Sequence, residues 1–196
     1  MLCVHTLPVG MLQANCYIVH NEGSAECVLI DPGDEAQKLR KRLETLGLVC
    51  KGILLTHRHF DHVGAAKPLA EAFGCPVYLH EADLVQRAVF PYGSDYHTDT
   101  YDEGDTVVLA GLSFAVLHTP GHCPGCVCLQ CGNALFTGDT LFEGGMGRVD
   151  FPGSSPRAMR DSLARLAALK ENYTVYPGHG GATTLDEERA TNPYMG

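Results

Sequence analysis

The run His57-Arg58-His59-Phe60-Asp61-His62 places four side chains able to bind a metal within six residues, directly after the apolar stretch Gly52-Ile53-Leu54-Leu55. Three more candidates follow at wide spacing: His122 in Thr119-Pro120-Gly121-His122, Asp139 in Gly138-Asp139-Thr140, and His179 in Pro177-Gly178-His179-Gly180. Seven nitrogen and oxygen donors exceed what one tetrahedral ion takes and suit two ions sharing a carboxylate. A pair of divalent ions is a common means of making hydroxide at neutral pH. Imidazole and carboxylate suit zinc, and also iron or manganese. His57 and His59 lie on a loop and can converge on one ion, while Asp61 and His62 enter the following helix and can converge on another. His122 can complete the first set, His179 the second, and Asp139 can bridge them.

The elements that must position these residues are short and mostly extended. Strands are predicted at 15–19, 27–30, 53–56, 76–80, 106–110, 114–118, 127–130, 134–137 and 174–176. Residues 34–46 carry apolar side chains at 36, 39, 43 and 46, one face of a helix. A second helix is predicted over 63–73, stopped by Gly74 with Pro76 beyond. Ser155 and Pro156 form a cap and first-turn pair for a third, with Met159, Leu163, Leu166 and Leu169 on one face. Every candidate ligand then falls just past a strand end, on a loop shaped by Gly or Pro. Loops held by a rigid sheet are where sites are usually built.

The 196 residues are 45% hydrophobic and 19% charged, without repeat, low-complexity run or linker, which predicts one domain over 1–196. Net charge is −9, and the longest basic cluster, Lys38 to Arg42, sits on a predicted helix. That argues against nucleic acid as a partner. No apolar stretch is long enough to span a membrane, and the N-terminus reads as strand rather than signal peptide. The odd number of cysteines, nine, without an export signal predicts reduced thiols in the cytoplasm.

His118, in the same segment as His122, reads as a buried support or core histidine rather than a ligand, and His5, His20, His80 and His97 lack any partner motif. Cys123, Cys126, Cys128 and Cys131 form two overlapping C-x-x-C pairs. An extended strand would put Cys126 and Cys128 on one face and Val127 and Leu129 on the other, so these cysteines read as core. Cys123, next to His122, is near enough to a metal to be oxidised or to ligate it.

Residues 57–62 match the H-x-H-x-D-H motif of the metallo-β-lactamase superfamily, which the chain resembles over nearly its whole length. Val9-Gly10 through Tyr17 looks like the first hairpin of the glyoxalase II group, Asp31-Pro32-Gly33 like its strand-end Asp-x-Gly, and 118–122, 137–148 and 177–180 like its later metal segments. The resemblance implies an α+β fold, a four-layer αββα sandwich with the site at its edge. It implies His57, His59 and His122 on one metal, Asp61, His62 and His179 on a second, and Asp139 on both. Zinc is the first expectation. By the same resemblance a metal-activated hydroxide attacks the carbonyl of a small thioester, glutathione-linked in that group, with Asp61 orienting it and Asp139 holding the pair. Arg148 falls where glyoxalase II contacts glutathione, but Asp150 stands where that group often has Tyr or Phe. Arg148 therefore reads equally as a substrate contact or as half of an ion pair. The helical C-terminal domain of glyoxalase II has no counterpart, so a short single-domain form is expected.

Two other classes compete. A persulfide dioxygenase of the same superfamily uses one iron on two histidines and a carboxylate, for which His57, His122 and Asp139 would serve. Lactonases, β-lactamases and nucleases of the superfamily fit residues 137–148 or the charge less well. A non-catalytic binding protein would have lost ligands, and this chain has kept all seven.

Overall fold

A computed structural model describes residues 1–84, 93–94 and 96–196. Two six-stranded sheets face each other. The first runs in spatial order through β1 (Leu2–Val9), β2 (Ala14–Asn21), β3 (Glu26–Ile30), β4 (Val49–Leu54), β5 (Val77–His80) and β6 (Asp99–Tyr101). Its first three strands pair antiparallel and its last four parallel. The second comprises β7 (Thr106–Leu109), β8 (Leu112–His118), β9 (Val127–Cys131), β10 (Ala134–Gly138), β13 (Thr174–Pro177) and β14 (Thr183–Thr184). The short hairpin β11 (Leu141–Phe142) and β12 (Gly145–Met146) stands apart.

Strand alternation sorts the apolar residues into three layers. Tyr17, Val28, Ile30, Phe114, Leu129 and Phe136 fill the space between the sheets. Ile18, Leu29 and Ile53, on the opposite face of the first sheet, meet α1 (Ala36–Leu46) and α3 (Ala66–Phe73) through Leu39, Leu43 and Leu69. Cys128 and Leu135 on the outer face of the second meet Met159, Leu163 and Leu166 of α4 (Pro156–Ala167). The result is the αββα sandwich expected. Among the described residues no helix is long and apolar enough to cross a membrane.

Local chemistry fixes the element ends. Ser155 caps α4 by accepting from the Ala158 N–H, as its sequence signal predicts. Leu169 lies beyond that helix but still packs against its cluster. Helix α1 begins at Ala36 rather than Asp34 because Glu35 is left-handed, with φ 53°. The helix predicted over 63–73 is broken into α2 (Phe60–Val63) and α3. The Ala65 N–H donates to the Pro32 carbonyl instead of continuing a helical ladder. The strand predicted at 53–56 ends at Leu54, because Asp31 captures both the N–H and the hydroxyl of Thr56. Helix α5 (Leu185–Thr191), unpredicted, carries a legible signal: Thr184 caps it by accepting from the Glu187 N–H.

The cysteines need one correction. Cys126 precedes β9 and packs against Cys123, Sγ to Sγ 3.0 Å, while Cys128 faces α4. The two therefore do not share an environment, although Val127 and Leu129 do point together into the inter-sheet layer.

Candidate metal centre

All seven candidate ligands come from loops or helix starts at one edge of the sandwich. His57 follows β4, His122 follows β8, Asp139 follows β10 and His179 follows β13. Asp61 and His62 sit on α2, which starts just past the loop that carries His57 and His59. The structure brings His57, His59 and His122 together, with one donor atom of each within 4.8 Å of the others, and Asp61, His62 and His179 likewise. Asp139 lies between the groups. Its Oδ1 is 3.5 Å from His62 Nε2, and its Oδ2 is 3.3 Å from His122 Nε2 and 3.8 Å from His179 Nε2. Asp61 Oδ2 is 3.2 Å from His179 Nε2 and 3.6 Å from His62 Nε2. Donors held about 2.1 Å from one tetrahedral ion stand roughly 3.4 Å apart.

The chemistry of the unpartnered atoms tests whether a metal fits. Nε2 of His57, His62 and His122, and Oδ1 of Asp139, are buried without a hydrogen-bond partner. Buried polar atoms are nearly always partnered, and all of these face the same small volume. Divalent cations would satisfy them together, so the residues fit metal ions.

The far side of each ring is spoken for. Asp31 Oδ2 accepts from His62 Nδ1 at 2.9 Å and from the Thr56 hydroxyl at 2.6 Å, and Thr56 Oγ1 lies 3.1 Å from His57 Nδ1. One buried aspartate thereby orients a ring in each group. His122 Nδ1 donates to the Arg148 carbonyl at 2.8 Å. Partners of this kind fix the tautomer and leave Nε2 as the bare donor. Through this support Asp31 also brings a carboxylate oxygen within 4.8 Å of a ring nitrogen of both His57 and His62.

Two further residues hold the loops themselves, and neither stood out in the sequence as part of the site. Asn15 of β2 donates its Nδ2 to the carbonyls of Pro177 and Gly180, at 3.0 Å each, and so grips the loop of His179. Asp83 accepts from the backbone N–H of Arg58 at 2.9 Å and of Gly125 at 2.8 Å, tying the first ligand loop to the segment after His122. Asp31 entered the sequence reading only through the likeness of Asp31-Pro32-Gly33 to the glyoxalase II strand end, without a role; Asp83, in an ordinary Glu-Ala-Asp turn, carried no signal. Glycine is needed where backbone meets ligand. A Cβ on Gly178 would stand 2.1 Å from Asp139 Oδ1, and one on Gly33 1.6 Å from the Asp61 carbonyl oxygen.

Electrostatics divide the histidines. Burial, then the neighbouring imidazoles, hold His57 well below its ordinary pKa. Burial does the same to His59, at about 3. Burial also works against charge on His62, but Asp139, Asp31 and Asp61 outweigh it and push that ring up to about 9. Burial opposes ionisation of Asp61, yet its bond to His179 and the charge of His62 bring it down to about 2. The site thus gathers carboxylate charge around histidines of which two stay neutral.

His118 is no member of either group. It stacks on His80, ring centroids 4.1 Å apart, and donates Nε2 to the Pro124 carbonyl at 2.7 Å, bracing the loop after His122. His5 and His20 stack on each other far from the centre, and His80 pairs with Asp102. Above the ligands opens a pocket of about 470 Å³ whose walls include Leu12, Phe60, Phe142, Met146, Arg148 and Phe151. Arg148 both lines it and pairs with Asp150.

Residues 9–179 match the family model of the Metallo-beta-lactamase superfamily. A hydroxyacylglutathione hydrolase, GloC of Haemophilus influenzae, is 35% identical over 98% of this chain and 97% of that protein. Among solved structures, TTHA1623 in a di-iron-bound form is 44% identical with a TM-score of 0.83, covering 97% of this chain and 100% of that one. The BLEG-1 B3 metallo-beta-lactamase is 32% identical with a TM-score of 0.88, covering 100% and 99%. Motif, fold and edge-sited donors agree with these matches: the chain belongs to the metallo-beta-lactamase superfamily, whose members are mostly metal-dependent hydrolases.

Proposed function

We propose that this protein is a dinuclear metal-dependent hydrolase of a small thioester. The observation that carries the reading is that Nε2 of His57, His62 and His122 and Oδ1 of Asp139, buried without partners, converge where two adjoining sets of three ligands meet. On this reading His57, His59 and His122 hold one ion, Asp61, His62 and His179 the other, and Asp139 bridges. A pair of divalent ions supplies hydroxide at neutral pH and a Lewis acid for the carbonyl oxygen.

The chain's own residues do the rest. Asp31 and Thr56 keep His57 and His62 with Nε2 bare. Asp61, held ionised beside His179, presents a carboxylate that can orient a water and take up its hydrogen bond. Apolar walls from Leu12, Phe60, Phe142, Met146 and Phe151 flank the ligands. Arg148 stands at the rim, paired with Asp150.

A thioester is favoured among superfamily substrates by the named function of the Haemophilus relative and by the likeness of residues 137–148 to glyoxalase II. Zinc suits the donors, and so does iron, found in the di-iron-bound form of TTHA1623. The second group, Asp61 with His62 and His179, supports hydrolysis over the single-iron dioxygenase, which has no use for it. The test is steady-state turnover of a small thioester panel, S-lactoylglutathione included, by protein reconstituted with zinc and separately with iron. Turnover in proportion to bound metal is expected. Full metal occupancy without turnover of any thioester would overturn the reading.

A further inference from the structure

Among the described residues that line the pocket, Arg148 is the one arginine or lysine, and it is already engaged. Its Nε donates to Asp150 Oδ1 at 2.9 Å and its Nη2 to Asp150 Oδ2 at 2.8 Å, a two-point clasp that matches the geometry a bound carboxylate would use. The guanidinium also lies over the Phe151 ring, 4.4 Å from its centroid. Phe151 in turn packs edge-on against His59 and His122, with centroids 5.6 and 5.7 Å away. Arg148 therefore stands one aromatic ring from the metal ligands. Nearby walls are apolar, from Leu12, Phe60, Phe142 and Met146. A substrate carboxylate that sought the Arg148 fork would have to displace the Asp150 carboxylate from it.

We propose that Asp150 makes the pocket selective for thioesters that are uncharged where they pass the rim, by occupying the guanidinium a carboxylate would need. The proposal deepens the thioester hydrolase reading and rests on it for the reaction, though not for binding. It bears directly on a glutathione-linked substrate, whose carboxylates would have to displace Asp150. Because both partners are exposed, with side chains 66% and 64% accessible, the clasp can be broken, and the selectivity is graded rather than absolute.

The experiment uses two matched pairs, each a neutral and a carboxylate-bearing compound, with the carboxylate on the thiol side in one pair and on the acyl side in the other. Thioesters report kcat/KM on the metal-loaded protein, and the corresponding unreactive thioethers report binding by calorimetry. In at least one pair the neutral member is expected to be preferred by about fivefold, the scale of an exposed ion pair. Asp150→Asn should move the ratio of charged to neutral toward the carboxylate by a similar factor. Adding Arg148→Gln should remove that gain, which a mere change in overall charge would not do. Equal binding of both members in both pairs would overturn the proposal, as would a gain in Asp150→Asn that persists without the guanidinium. Selective binding of thioethers without turnover of any thioester would instead sustain it and sink the thioester reading.

Discussion

In the half of the site formed by His57, His59 and His122, no residue is more than 3% exposed. In the half formed by Asp61, His62 and His179, the His62 side chain is fully buried, but Asp61 is 13% and His179 28% exposed. The supports differ too. His57 leans on Thr56 and Asp31, and His122 on the Arg148 carbonyl. His179 depends on a loop gripped through its backbone by Asn15, and its ring packs on His62 and Phe142 and faces Asp61. A rigid, dry cage holds an ion with little loss of side-chain freedom, whereas a half-open one must order an exposed ring. On the two-ion reading the contrast teaches that the ions would not be held alike: the first half would be the anchor and the second the exchangeable partner.

Asp139 joins the halves, so its loss should erase the difference between them. Asp139→Ala is expected to lower kcat/KM for any thioester substrate by about 10²–10³-fold, and metal analysis should find both ions weakened. His59→Ala and His179→Ala separate the halves. Elemental analysis after dialysis should find His179→Ala with one ion per chain still tightly held, and His59→Ala with neither held tightly. A variant pair losing metal equally would break the comparison. Asp31→Asn sharpens it from behind, because this carboxylate supports one ring in each half; metal affinity should drop about 10–100-fold, read by competition with a chelating dye.

The smallest effect is on the stability of the metal-free protein. His59 has a folded pKa of about 3, below its unfolded value, so the unfolded chain binds more protons at low pH, and stability should climb as pH rises from about 3 toward 6.5. His62 has a folded pKa of about 9, so its contribution is complete below about 6.5 and is lost as pH rises through 9. Thermal unfolding of chelated protein should therefore peak near pH 6.5, falling on either side by roughly 2–4 °C for each kcal/mol of linkage. Added metal should remove the alkaline decline, since binding displaces the His62 proton. A metal-free profile rising steadily to pH 9 would contradict the charge arrangement around His62.

Much of this was readable from residue order. The strand-then-loop placement of His57, His122, Asp139 and His179 followed from apolar runs ending at Gly or Pro, and the structure keeps it. Ser155 and Pro156 marked α4 because capping is a local interaction. Where reading failed, the competing contact was distant in sequence. The helix expected over 63–73 breaks because Pro32 takes the Ala65 N–H, and the strand expected to reach Thr56 stops because Asp31 takes that residue. The same applies to Asn15 and Asp83, which grip ligand loops across 162 and 42 positions respectively. Their types are common and their spacing means nothing until the sandwich closes. Arg148 and Asp150 were visible as a pair of opposite charges, but only the fold shows the clasp over Phe151 at the pocket rim.

The most direct test of the central claim is metal stoichiometry read together with thioester turnover while a chelator is titrated into the zinc-loaded protein. The account predicts two ions per chain at the start. The more weakly held ion should leave first and take turnover with it, while the other stays bound, and His179→Ala should begin at the one-ion state. Full turnover by a species holding a single ion, or a His179→Ala protein that keeps both, would contradict it.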